Sequence, residues 1–122
     1  MSLFQQQVRA AIGAHGMWKA RLRSAIDTGA SSVSVADIRP DNRCEFGQWL
    51  YGDGRGGFAA PQEWETVRAL HAAFHSEAAR VLEMALSGRK AEAEKAMGLG
   101  GAFSHASSAL VKELTRIEKL AA

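Results

Sequence analysis

At 122 residues the chain has room for one hydrophobic core and not for two, so a single domain over residues 1–122 is expected. Apolar residues make up 47% and charged residues 23%, a globular balance that argues against disorder. The formal charge is +2, and its basic residues are interleaved with acids (Lys112, Glu113, Arg116, Glu118, Lys119), which excludes a clustered nucleic-acid patch.

From Phe4, apolar residues fall at Val8, Ala11, Ile12, Trp18, Leu22 and Ile26. That three-and-four spacing predicts one long helix with a single buried face. It stops at Thr28-Gly29-Ala30-Ser31-Ser32, a loop composition. A shorter second helix is expected after Pro40, with Asp41 as its N-cap and Phe46, Trp49 and Leu50 as its apolar set. It runs into the glycine-rich stretch Gly52–Gly57, read as a flexible loop.

Pro61 suits the first turn of a third helix, whose inner face carries Trp64, Val67, Phe74, Ala78 and Leu82 and which Gly88 closes. Residues 89–97 read as a short helical piece broken at Gly98-Leu99-Gly100-Gly101. A last helix presents Phe103, Leu110, Leu114 and Ile117 on one side. No stretch alternates with a period of two. The expected fold is all-α, a four-helix-bundle-like domain with a short second helix carrying the cysteine and a broken fourth region.

One cysteine makes no internal disulfide, no charged stretch leads into an apolar one as a signal peptide would, and no apolar run approaches the roughly 20 residues that span a bilayer. A cytoplasmic protein without a membrane partner is the expectation.

The chemistry lies in the histidines and the thiol. His71 and His75 are four residues apart, so both project from one helix face, and that face is the apolar one. His15 falls in the apolar stripe of the first helix. A lone histidine on such a face is commonly a satisfied core residue. Three of them, with the only thiol directed to the same core, would cost several kcal/mol if left unpaired.

A shared metal removes that cost. Three imidazoles and one thiolate match a tetrahedral zinc site, and thiolate softness disfavours magnesium and calcium, although copper or cobalt suit the same donors. With Asp41 as cap, Cys44 would lie in the first turn of its helix, where the dipole favours thiolate. Gly47, unfavourable inside a helix, is expected to let a neighbouring helix approach so that its histidines reach Cys44.

Two other motifs are set aside. Gly52-x-Gly54-x-x-Gly57 matches a dinucleotide fingerprint but follows a helix, in no βαβ unit. His71-Ala72-Ala73-Phe74-His75 has the spacing of a zinc-protease helix, yet Ala72 stands where the catalytic glutamate is required. Four donors imply a closed site and no enzyme. A zinc enzyme with an open coordination position is the competing class, as is a purely structural zinc-stabilised bundle.

The pattern Cys44-x-Phe46-Gly47-x-Trp49-Leu50, preceded by His15 and followed by His71-x-x-x-His75, resembles the chemoreceptor zinc-binding domain family. The resemblance implies a helical bundle that binds Zn2+ through His15, Cys44, His71 and His75, with no counterpart for His105. It implies a sensory or regulatory role in bacterial chemotaxis or cyclic-di-GMP signalling, a homodimer, and an output domain (chemoreceptor or diguanylate cyclase) in cis or in trans. It also implies that Cys44 acts as a zinc or redox switch, with hypochlorous acid as the oxidant.

Overall fold

A computed structural model describes residues 2–120, so positions 1, 121 and 122 of the expected domain lie outside the described residues. The elements are α1 (Leu3–Gly16), α2 (Trp18–Thr28), α3 (Val35–Ile38), α4 (Glu45–Tyr51), a 3-10 turn (Asp53–Gly57), α5 (Pro61–Leu86), α6 (Lys90–Met97) and α7 (Ala102–Leu120). No strand occurs among the described residues, and the helices pack as an all-α bundle.

α5 is the axis of the packing. Its apolar face, from Trp64 through Val67, Phe74, Ala78 and Leu82, is buried against α7 and α2, while α1 lies along α7. Phe103, Leu110, Leu114 and Ile117 of α7 close the core from the other side, as their spacing predicts. α6 fills the space between α2, α5 and α7 with Ala93 and Met97. The apolar stripe at Val8, Ala11, Leu22 and Ile26 is buried as expected.

Three local expectations need correction. The first long helix is interrupted at Met17, giving α1 and α2. Gly13 and Gly16 lie just before the break, and each weakens helix by about 1 kcal/mol relative to alanine. Met17 is 60% exposed, so no core contact holds the turn regular. A one-turn helix, α3, has no counterpart in the apolar spacing; Ser34 caps it by accepting from the Asp37 N–H at 3.1 Å.

The glycine-rich stretch is an ordered 3-10 turn and not a flexible loop. A Cβ on Gly54 would come within 2.6–2.7 Å of the Trp49 indole, so the glycine lets that ring lie flat on the turn. Trp49 in turn packs edge-on against Phe4 and tilted over Phe58, and the Trp64 indole N–H donates to the Leu50 carbonyl at 2.8 Å. These contacts fix α4 between the start of α1 and the start of α5. That placement brings its N-terminus to the histidines.

Candidate metal centre

Two helices and one connecting segment meet at the site. α1 delivers His15 near its C-terminal end, α5 delivers His71 and His75 one turn apart, and the segment between α3 and α4 delivers Cys44. His71 is fully buried, and His15 and His75 nearly so. Cys44 is half-buried.

Their donor atoms converge. Cys44 Sγ lies 3.3 Å from His71 Nε2 and 3.5 Å from His75 Nε2. His71 Nε2 lies 3.1 Å from both His15 Nε2 and His75 Nε2. All four donors fall within 4.8 Å of one another. A tetrahedron with Zn–N bonds of about 2.0–2.1 Å and a Zn–S bond of about 2.3 Å has edges of about 3.3–3.6 Å. Four of the six donor–donor edges, at 3.1–3.5 Å, are close to those of a four-coordinate zinc site.

Proton bookkeeping points the same way. His15 Nδ1 faces the Ala11 carbonyl and His75 Nδ1 the Ile38 carbonyl, both at 2.8 Å. A carbonyl only accepts, so both Nδ1 atoms carry the proton and both Nε2 atoms present lone pairs to the centre. Lone pairs gathered around one point repel one another unless a cation lies among them. Orientation of metal-binding imidazoles by carbonyls in this manner is the usual outer-sphere arrangement.

The walls are apolar and aromatic. Phe46 stands edge-on to His71 at 5.1 Å between centroids and to His15 at 5.8 Å, and Phe74 edge-on to His15 at 5.0 Å. Trp49 packs tilted against Phe46 and also touches Phe4 and Phe58. Phe74 of α5 adds to the cover over His15.

Burial governs the protonation states. It pushes the His71 imidazole down to about 2, with His75 and His15 adding to the effect. It pushes His15 down to about 4, against the pull of the Ala11 carbonyl, and lowers His75 as well. All three are neutral at neutral pH, as metal ligands must be. The thiol moves the opposite way: burial pushes Cys44 above its ordinary 9.0, against the lowering bonds from the Gly47 and Phe46 N–H groups. The metal-free thiol is thus protonated, contrary to the sequence expectation that the helix dipole would favour thiolate.

A pH dependence follows. Metal uptake at pH 7 must displace the thiol proton and no imidazolium proton, so about one proton is released per ion. Removing that proton in advance favours binding, so zinc affinity should rise about tenfold per pH unit from 7 toward the thiol pKa. Calorimetry in buffers of differing ionisation enthalpy measures the count. Release of two or more protons at pH 7 would mean that the imidazoles are charged.

The capping differs from expectation. Cys44 itself is the N-cap of α4, its Sγ accepting from the Gly47 N–H at 3.3 Å. Asp41 lies three residues earlier; its carboxylate accepts from Tyr51 Oη at 2.5 Å and stands 4.0 Å from His71 Nδ1. The close approach at Gly47 is real, but the neighbour is the Asp41–Asn42 backbone and not the histidine helix. Asp41, Ile38 and Ala11 are the outer residues of the site, and the sequence pattern does not reveal them as such. Only Asp41 carries a signal, and its residue type and position suggest a cap instead.

His105 lies on the exposed side of α7, outside the cluster, and neighbouring Ser104 donates to the Met97 carbonyl at 2.7 Å. No helix among the described residues is long and apolar enough to cross a membrane. A family profile described as the chemoreceptor zinc-binding domain matches residues 15–82, just over half of the chain and the span that holds all four donors. No curated protein and no solved structure matches the chain.

Proposed function

The chain belongs to the chemoreceptor zinc-binding domain family, and from that membership we propose that it is a regulatory zinc-binding domain of bacterial signalling, with no catalytic activity of its own. It takes one zinc ion through His15, Cys44, His71 and His75. The observation that carries the reading is the convergence of three Nε2 atoms, two of them left proton-free by carbonyls on their Nδ1 atoms, and one Sγ on a single buried point. Such a set is suited to a cation. Four donors from the protein also favour a closed site over one that keeps a position for a substrate.

Zinc bound here would hold Cys44 as a thiolate, which is a good ligand and still a nucleophile. Cys44 is half-buried, so a small oxidant reaches its sulfur, whereas the imidazoles are sealed. With hypochlorous acid the thiolate sulfur gives up two electrons, chlorine is reduced and leaves as chloride, and the oxygen is retained as a sulfenic acid. A sulfenic acid is a poor metal ligand, and three imidazoles hold zinc less tightly. The sulfur is also the N-cap of α4, so the same event alters the bond that starts that helix. A change of ligation therefore becomes a change in how α4 sits, which is what a two-state switch requires. Loss of zinc itself would act on the same element. In this reading the chain works in a cytoplasmic homodimer, passing the change to an output domain in cis or in trans.

The test is direct. Zinc-loaded protein is treated with stoichiometric hypochlorous acid while a chromogenic chelator reports free metal and mass spectrometry reads Cys44. Zinc release together with sulfenic acid at Cys44 is expected. Retention of zinc with an unmodified thiol would leave a structural zinc protein and remove the switch.

A further inference from the structure

Two of the three histidines have their Nδ1 protons held by backbone carbonyls, and the third does not. His71 Nδ1 is buried without any hydrogen-bond partner. An unpaired polar ring nitrogen at a fully buried site is costly, about 1–3 kcal/mol. The group that faces it is the carboxylate of Asp41, whose Oδ2 is 4.0 Å away. No lysine or arginine lies within ion-pair distance of that carboxylate among the described residues, so its charge is not otherwise matched by a cation.

Asp41 is also held in place from three directions. Its Oδ2 accepts from Tyr51 Oη at 2.5 Å, which anchors it to the last residue of α4. Its backbone lies against Gly47 in the middle of α4, where a Cβ would come within 2.9 Å of the Asp41 carbonyl carbon. Three residues on, the chain reaches Cys44. Tyr51 is fixed in turn by an edge-on contact with Trp64 of α5 at 5.9 Å between centroids. The carboxylate oxygen has lone pairs for two donors and is using one.

We propose that Asp41, oriented by Tyr51, is the positioning residue for His71: in the zinc-bound protein its Oδ2 accepts the His71 Nδ1 proton, completing a carboxylate–histidine–metal arrangement and coupling the ligand on α5 to both ends of α4. The inference rests on the zinc reading of the site. It gives His71 what Ala11 gives His15 and Ile38 gives His75, with the difference that a charged acceptor raises the basicity of the imidazole more than a carbonyl does. It also gives a role to the hydrogen bond by which Tyr51, itself exposed, holds the Asp41 carboxylate. The pair makes a path from the metal to the C-terminal end of α4 that does not pass through the cysteine.

The experiment uses the zinc-loaded chain labelled with 15N-histidine. Long-range 1H–15N spectra should show three Nδ1–H groups, with that of His71 downfield of the other two because its acceptor is a carboxylate. Asp41→Asn should move the His71 signal upfield and leave the His15 and His75 signals in place. It should also weaken zinc binding about 10–100-fold in competition with a chromogenic chelator. Tyr51→Phe should shift both readouts the same way by less. A merely structural role for Asp41 would disturb all three histidines or none. If Asp41→Asn does not fold, the wild-type spectrum and Tyr51→Phe decide the matter. A His71 Nδ1–H that exchanges freely with water overturns the proposal, as does Asn-variant affinity within twofold of wild type with an unmoved His71 signal. If wild-type protein takes up no zinc, the zinc reading falls and this proposal with it. If it takes up one zinc but ignores Asp41, only the positioning role is lost.

Discussion

Alanine in place of His15, Cys44, His71 or His75 is expected to lower zinc affinity by well over the roughly 10–100-fold that loss of an outer-sphere partner costs, whereas His105→Ala should leave it unchanged. Each of the four side chains supplies one donor to the same point, and no fifth histidine, cysteine or acidic group joins the cluster among the described residues. Removing one donor leaves the remaining histidines on their helices, with His15 and His75 each also held by a carbonyl. The loss is therefore one of coordination and not of fold. Circular dichroism should show near wild-type helix in all four variants, since the apolar faces of α1, α2, α5 and α7 bury a core independently of the metal. Competition with a chromogenic chelator, with metal content by mass spectrometry, gives the affinities. Equal metal loss from His105→Ala would overturn the assignment of the four ligands.

Gly47→Ala should destabilise the protein by about 1–3 kcal/mol and weaken the metal site at the same time. A Cβ at position 47 would sit inside contact distance of the Asp41 carbonyl oxygen, 2.9 Å from the Asp41 carbonyl carbon and 3.1 Å from Asn42 Cα. All three neighbours are backbone, so no side chain can swing away, and relief requires α4 to move off the 41–42 segment. That segment leads directly into Cys44, whose Sγ accepts from the N–H of Gly47 itself. Gly13→Ala is the control. Position 13 is inside α1, a methyl group there would meet nothing within 4 Å, and the exchange should stabilise by roughly 0.5–1 kcal/mol. Denaturant unfolding of both variants, with and without chelator, measures the two effects. A neutral Gly47→Ala would mean that α4 is not packed against the Asp41–Asn42 backbone.

The helical content, the buried faces and the donor set are all written in local spacing. Apolar residues three and four apart mark the inner faces of α1, α2, α5 and α7, because a helix of 3.6 residues per turn buries one stripe whatever it packs against. His71 and His75 read as a pair for the same reason, and the single cysteine beside Phe46-Gly47-x-Trp49-Leu50 completes a pattern specific enough to name the family. Even the split at Met17 has a local trace, since Gly13 and Gly16 weaken the helix where it breaks.

What the linear pattern does not carry are the contacts between segments. Whether Asp41 or Cys44 caps α4 depends on where the 38–44 chain is held, and Ile38 is held by His75 of α5. A close approach at Gly47 is foreseeable from a glycine inside a helix, but its partner is not, because several neighbours can exploit a missing side chain. The direction of the thiol's shift likewise rests on the balance between burial, known only once α5 and Phe46 are in place, and a local N–H bond that opposes it. The sequence by itself determined which residues can ligate a metal and which faces are buried, since both follow from chemical identity and helical period. Only the tertiary structure decided that four donors meet at one point, that two imidazoles are oriented by carbonyls while the third faces Asp41, and that Cys44 begins a helix, because each is a distance between atoms far apart in the chain.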